Sequence, residues 1–197
     1  MHILGSTGQH LRLNPDTGAT LAADTPLAFA SGDTHFGATP GIVGADFTPG
    51  LSPTVYAIDK TIDSLVRVGS VGGLPLNSSS GQLTTIGALG TDTEGLTGLD
   101  FSPAGVGYAV LNPATGTSSN LYVIDTLNGH ATSLGQIGVA EQVRDIVVAT
   151  PGDISFVSSS YAAAENGGSA AIGIARSGGS WGAVSVDFST SGGTASS

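Results

Sequence analysis

The sequence has no cysteine, only one lysine and four arginines, and no apolar run long enough to cross a membrane. Without cysteine, disulfides, zinc-thiolate sites and thiol nucleophiles are excluded together. Fifteen acids against five bases give a formal net charge of −10, leaving no cluster of Lys and Arg to neutralise a phosphate backbone. Nucleic acid is therefore not an expected partner, and anionic membrane surfaces are disfavoured on the same ground. A helical span needs about 18–20 predominantly apolar residues, so no membrane span is expected in this chain. Met1-His2-Ile3-Leu4-Gly5 carries neither the basic start nor the apolar stretch of a secretory leader. The expectation is either a cytoplasmic protein or the internal portion of a longer secreted one. Helix formers are scarce too: three Glu and one Lys stand against 31 Gly and abundant Ser, Thr and Val, which makes all-β the default class.

What is present is enough to fold. The chain has 197 residues, 40% of them hydrophobic, and low charge, the opposite of a disordered composition. That length fits one ordinary domain or two small ones. Internal repetition organises it. Gly44-Ala45-Asp46-Phe47-Thr48-Pro49 returns 54 residues later as Gly98-Leu99-Asp100-Phe101-Ser102-Pro103. Val55-Tyr56-Ala57-Ile58-Asp59 returns as Leu121-Tyr122-Val123-Ile124-Asp125, with a looser echo in Gly107-Tyr108-Ala109-Val110-Leu111. Each alternates large apolar with small or polar residues, the period of a half-buried strand. Between them lie turn signals: Asn14-Pro15-Asp16-Thr17-Gly18, Asn112-Pro113-Ala114-Thr115-Gly116 and Asn128-Gly129.

Two four-strand units follow, one near 42–48, 54–59, 64–69 and 82–87, the other near 96–101, 106–111, 120–125 and 131–136. Residues 3–5, 10–13 and 19–21 read as the last three strands of an earlier unit, and Val143–Ala149 as the first strand of a later one. Four short antiparallel strands per 40–55 residues is the signature of a β-propeller blade. Two whole blades and two part-blades are few for a ring of about 4–8, so the chain reads as a partial propeller-like array cut at its amino end. Closure of a strained small ring through pairing of Val143–Ala149 with residues 3–21 is the lesser alternative.

The run Leu11-Arg12-Leu13-Asn14-Pro15-Asp16-Thr17-Gly18, then Gly37-Ala38-Thr39-Pro40, Leu83-Thr84-Thr85-Ile86-Gly87-Ala88-Leu89-Gly90 and Gly98-Leu99-Asp100-Phe101, resembles a bacterial family known as domain of unknown function 4394. The resemblance covers about residues 3–149, without the family's usual amino-terminal repeats. It implies a secreted, propeller-like repeat domain, and it carries over no catalytic residue. Past Thr150-Pro151-Gly152 the composition shifts to Ser, Gly and Ala. Residues 154–195 resemble the first half of a Calx-beta domain, a calcium-binding β-sandwich. The resemblance rests on Tyr161 to Gly168, Ala171 to Gly179, Ala183 to Phe188 and Gly193-Thr194-Ala195. The organisation implied is a repeat domain at 1–149, a linker at 150–153 and a truncated β-sandwich at 154–197. The resemblance makes Glu165 a calcium ligand. Gly192 stands where the family usually has Asp, and the half bearing most other ligands is missing. Since Ca²⁺ takes 6–8 oxygens, Glu165 alone makes no site, and calcium is expected only in a complete Calx-beta domain. A half-sandwich also leaves an unpaired edge and an uncovered apolar face.

Candidate chemistry is sparse. His2, His10, His35 and His130 share no metal-ligand spacing, and exposed turn or strand positions are their default reading. Gly178-Gly179-Ser180-Trp181-Gly182 satisfies G-x-S-x-G, but a nucleophile elbow needs a strand-to-helix turn and a later histidine, and none follows His130; it reads as a hairpin loop. No Gly-rich segment precedes a helix, so phosphate-cradling motifs are absent. Asn77-Ser78-Ser79 fits a glycosylation sequon, which in a bacterial chain usually carries no meaning. Asp46 and Asp100 recur at equivalent positions. They either line a central channel and hold a cation or substrate, or accept backbone N–H bonds from their own blade; a residue repeated in every blade favours the second. Asp59 and Asp125 end strands before turns, where Asp caps the backbone. Asp16, Asp63, Asp92 and Glu94 read as solvating loop charge, with loop-borne calcium as the other option.

The leading functional expectation is a non-enzymatic, extracellular or cell-surface module of a large bacterial protein. It would serve adhesion or bind an extracellular protein or glycan, with Calx-beta repeats forming a calcium-stiffened stalk. The rival is a propeller-type hydrolase or lyase with its site in the central opening, because fold does not exclude function. A cytoplasmic β-repeat scaffold fits the missing leader but not the Calx-beta resemblance.

Overall fold

The computed structural model describes residues 1–113, 116–138, 141–149, 152–164, 166–179 and 182–192. The chain divides into two compact units, Met1–Val148 and Ala149–Ser197. Among the described residues regular structure is almost wholly strand, with two single 3-10 turns at Val71–Gly73 and Ser78–Ser80. In the first unit β1 (His2–Leu4), β2 (His10–Leu13) and β3 (Thr20–Ala23) make an antiparallel three-stranded sheet in sequence order. A second sheet contains β5 (Ile42–Phe47), β6 (Val55–Asp59), β7 (Ser64–Val68) and β8 (Gln82–Ala88) as an antiparallel meander, with β4 (Ala28–Phe29) added in parallel beyond β8. A third is the meander of β9 (Gly98–Phe101), β10 (Gly107–Leu111), β11 (Ser119–Ile124) and β12 (Ala131–Ile137). The first strands of the two meanders, β5 and β9, pack against each other. Among the described residues no sheet closes on itself.

The two four-strand units expected from the repeats are these meanders, with ends shifted by at most two residues. The turn residues explain the register. Asn14 accepts the backbone N–H groups of Asp16 and Thr17, and Gly18 takes φ +70° to turn the chain into β3. The burial differs from the expectation of a half-buried strand. On β6, Tyr56 and Ile58 face one apolar cluster with Leu65, Leu99, Phe101 and Leu111, whereas Val55 and Ala57 face another with Phe29, Val66, Val68 and Leu83. Both faces of β6 are therefore out of water. The alternation of large and small side chains, read as in and out, is instead the packing of a middle strand with an apolar cluster on each face.

Two strands depart from expectation. Ala28–Phe29 pairs in parallel with Gln82–Leu83 and was invisible as a strand, because two residues show no period. Val143–Ala149, expected as the first strand of another blade, forms no strand and does not pair with residues 2–13. It lies along β9 instead, held by side chains: Val148 N–H donates to Asp100, Val143 N–H donates to Ser119 Oγ at 2.7 Å, and Asn112 Nδ2 donates to the Val143 carbonyl at 2.8 Å. Fully buried Asn112 also binds the Leu96 carbonyl and the Ser119 hydroxyl. This turn residue thus spends its amide on tertiary contacts.

Among the described residues the second unit has one antiparallel pair, β13 (Asp153–Phe156) with β14 (Ile174–Ser177). Tyr161 closes it by donating its hydroxyl to the Gly173 carbonyl at 2.6 Å and accepting Ser158 N–H at 3.0 Å. Phe156, Ile174 and Phe188 remain exposed.

Ile58→Ala empties a site with no solvent exposure and is expected to cost about 2–5 kcal/mol in urea denaturation. Leu127→Ala, at a side chain 91% exposed, should stay within about 0.5 kcal/mol of the parent.

Candidate functional site

The repeated acids meet at the β5–β9 contact. Phe101 N–H donates to Asp46 Oδ2 at 2.9 Å and also to Asp100 Oδ1 at 3.0 Å. Asp100 then accepts Val148 N–H. Each repeated Asp thus reaches a backbone N–H about one repeat further along the chain, rather than serving its own blade alone. Close approach requires glycine at the start of each phrase. A Cβ on Gly44 would lie 3.1 Å from the Thr97 carbonyl oxygen, and one on Gly98 would lie 2.6 Å from the Asp145 carboxylate and 2.7 Å from the backbone of Ile146. The Gly-x-Asp-Phe phrase therefore has a joint purpose: glycine lets the next segment in and aspartate binds it.

A cleft of about 440 Å³ opens here, lined by Val43, Asp46, Leu99, Asp100, Arg144 and Asp145 among others. Burial raises the Asp46 pKa, and the nearby Asp100 carboxylate adds to the rise against the lowering hydrogen bonds of Phe47 and Phe101 N–H. The cleft is acidic, but its two repeated carboxylates are occupied by main-chain donors.

A second constellation joins loop 30–37 to β8. Asp33 Oδ2 accepts Thr85 N–H at 2.6 Å, and Oδ1 accepts the Thr85 hydroxyl and His35 N–H, both at 2.9 Å. His35 Nδ1 stands 3.1 Å from Thr85 Oγ1. Burial pushes the Asp33 carboxyl up, but the Thr85 and His35 hydrogen bonds and the His35 ring outweigh it, and the net shift is downward. Because the hydroxyl donates straight to the carboxylate, no proton relay runs from threonine through histidine to aspartate, and the cluster is a staple.

A third group was missed by sequence spacing. His2 Nδ1 and His10 Nε2 are 3.0 Å apart, and Asp24 Oδ2 is 3.9 and 3.8 Å from them. Strand register brings them together: His2 pairs with Arg12 and Leu4 with His10, which places both histidines on one face of the β1–β2 pair, while Asp24 N–H binds the His10 carbonyl. Burial pushes the His2 pKa below 6.5, and His10 reinforces the shift more than Asp24 opposes it.

The remaining sequence candidates are dispersed. Asp59 and Asp125 cap their turns through Thr61 N–H at 2.8 Å and Leu127 N–H at 2.9 Å. Asp63, expected as solvating charge, binds Thr93 N–H at 2.8 Å, and Glu94 lies 3.6 Å from Lys60. Asp16 and Asp92 are exposed, as is His130. Glu165 lies outside the described residues, as do Ser180 and Trp181 of the G-x-S-x-G match and Gly193-Thr194-Ala195.

Fold and site together define an all-β repeat protein whose repeats are tied by part-buried side chain to backbone bonds. The chain belongs to the family described as domain of unknown function (DUF4394), which matches residues 1–147. A crystal structure of a candidate 6-phosphogluconolactonase from Bacteroides uniformis is similar at 22% identity and a TM-score of 0.37, over 87% of this chain and 52% of that one. The chain thus spans about half the length of that protein. No curated protein sequence matches it.

The two acids predict opposite pH behaviour. Asp33, with a pKa below the ordinary 3.8, stabilises the fold above that value and loses the contribution as pH falls through its folded pKa. Asp46, with a pKa above 3.8, costs stability at neutral pH, and the cost disappears as pH falls through the raised value. In urea midpoints from pH 7 to pH 3, Asp33→Asn should be destabilised at pH 7 and converge on the parent in acid. Asp46→Asn, which keeps a carbonyl acceptor, should equal or exceed the parent at pH 7. Asp46→Ala should lose about 1–2 kcal/mol through loss of that acceptor.

Proposed function

We propose that this chain is a non-enzymatic module of a bacterial secreted or surface protein. Its meanders are blades of a propeller-like array that binds an extracellular protein or glycan, and its second unit is the first half of a Calx-beta stalk domain. The observation that carries the non-enzymatic reading is the use of Asp46 and Asp100. The acids best placed for chemistry in the β5–β9 cleft hold Phe101 and Val148 N–H groups across the repeat junction. A carboxylate committed to main-chain donors is a poor general base. The acidic, Gly-rich composition is consistent with a secreted scaffold. Exposed Phe156, Ile174 and Phe188 fit a sandwich face that its other half would cover.

The residues described in the second unit do not fit calcium by themselves. Asp153 and Asp187 are the acidic side chains described there, and Ca²⁺ requires 6–8 oxygens. Calcium belongs to this reading only through a complete domain.

The test pairs binding with turnover. The full chain should show saturable retention on at least one insoluble polysaccharide or immobilised cell-surface protein, together with no hydrolysis of lactone, ester or glycoside substrates above buffer. Turnover abolished by Asp46→Asn and Asp100→Asn would overturn the reading. Its melting temperature should not move with millimolar calcium; a large rise would show a complete site.

A further inference from the structure

We propose that His2, His10 and Asp24 form a binding site for one zinc-class divalent ion. The three candidate atoms, His2 Nδ1, His10 Nε2 and Asp24 Oδ2, make a triangle with sides of 3.0, 3.8 and 3.9 Å. The point about 2.1 Å from each, the bond length zinc makes to imidazole nitrogen and carboxylate oxygen, lies in the plane of the three atoms, and closing the two longer sides by about half an ångström lifts the ion into a tetrahedral arrangement. Two nitrogens and one oxygen at that radius suit a first-row transition ion and not calcium, which needs more oxygens at longer distances.

Three independent features prepare the atoms. His10 has a fully buried ring whose Nδ1 lies 3.3 Å from the Thr25 carbonyl. A carbonyl only accepts, so Nδ1 carries the proton and Nε2 accepts the hydrogen bond from His2 Nδ1–H; a bound ion takes the place of that shared proton, with His2 keeping its own on Nε2. The Asp24 side chain is 5% exposed, and Oδ2 is buried with no hydrogen bond among the described residues. Arg12 Nε bonds Oδ1 at 2.9 Å and lies equally near Oδ2, so it fixes the carboxylate without a hydrogen bond aimed at the second oxygen. The Arg12 guanidinium balances the carboxylate charge, and Oδ2 keeps a lone pair with no hydrogen bond for a bound ion to use. His2 and His10 also border a cavity of about 40 Å³ with Leu4, Asp46 and Phe47. That is room for the water with which a three-ligand zinc site completes its coordination.

The arrangement comes from the sheet. Three successive strands each deliver one ligand to the same place, at β1, at β2 and immediately after β3, and a shift of register by one residue would turn a histidine to the other face. None of the three ligands lines the β5–β9 cleft, although Asp46 borders both cavities, and the site stands whether or not the chain is a surface module.

Calorimetric titration of the untagged full chain with Zn²⁺ should give one ion per chain, and Co²⁺ should produce a tetrahedral visible band. Calcium should neither bind there nor displace the cobalt band. His2→Ala, at a ring 21% exposed, and Asp24→Asn should each weaken zinc binding at least about tenfold and abolish the cobalt band while circular dichroism stays that of the parent. The double variant His35→Ala/His130→Ala should bind as the parent does. Failure of the parent to bind zinc, or unchanged affinity in His2→Ala and Asp24→Asn, overturns the proposal, as does loss of binding in the His35/His130 pair. If Asp24→Asn does not fold, His2→Ala carries the test, because its ring makes the smaller contribution to buried structure.

Discussion

Tyr56, Ile58 and Leu65 bury themselves against β9, β10 and β11, while Val55, Ala57, Val66 and Val68 bury themselves against Leu27, Phe29 and Leu83. The central strand β6 has no face left for water, so it is stable only while both apolar clusters are in place. Each fully buried aliphatic side chain contributes about 1.5–3 kcal/mol, which is lost at once if a neighbour detaches. Repeat proteins share this dependence: no unit covers its own apolar surfaces, and stability resides in the junctions. The first unit therefore behaves as one body even though its strands belong to three sheets.

Polar bonds decide how the junctions are aligned. Apolar packing is nondirectional, and it would tolerate sliding of β5 along β9. Asp46 bound to Phe101 N–H, and Asp100 bound to Val148 N–H, admit only one offset. Alignment costs something: the two carboxylates approach one another, and burial plus that neighbour raises the Asp46 pKa. The same trade appears at Asp33, where enough donors converge for the balance to favour the charge. The two aspartates thus differ in sign because Asp33 gathers an extra hydroxyl donor and the His35 ring, whereas Asp46 faces the Asp100 carboxylate.

Much of the architecture was legible because its signals are local. Alternation along 55–59 and 121–125, and turn residues at Asn14 to Gly18 and Asn128-Gly129, are sufficient to place eight strands of the two meanders within two residues. The segment 143–149 has the composition of a strand, yet Asn112, Ser119 and Asp100 side chains capture its backbone groups and leave it outside the ladder. Sequence pattern reports what a segment prefers and not which competing donor or acceptor reaches it first. The candidate site divides the same way. Asp46 and Asp100 stood out through repetition, but their partners, 55 and 48 residues away, did not.

By itself the sequence determined an all-β chain of repeated antiparallel strands, acidic and without thiol chemistry, because composition, period and turn chemistry act over a few residues. Only the tertiary structure decided that both faces of β6 are buried, that the repeated acids bind the following segment, and that His2, His10 and Asp24 converge. Those three facts depend on strand register and on which sheets meet. A histidine eight residues from another has no sequence period that marks it, yet one register of β1 against β2 sets their ring nitrogens 3.0 Å apart.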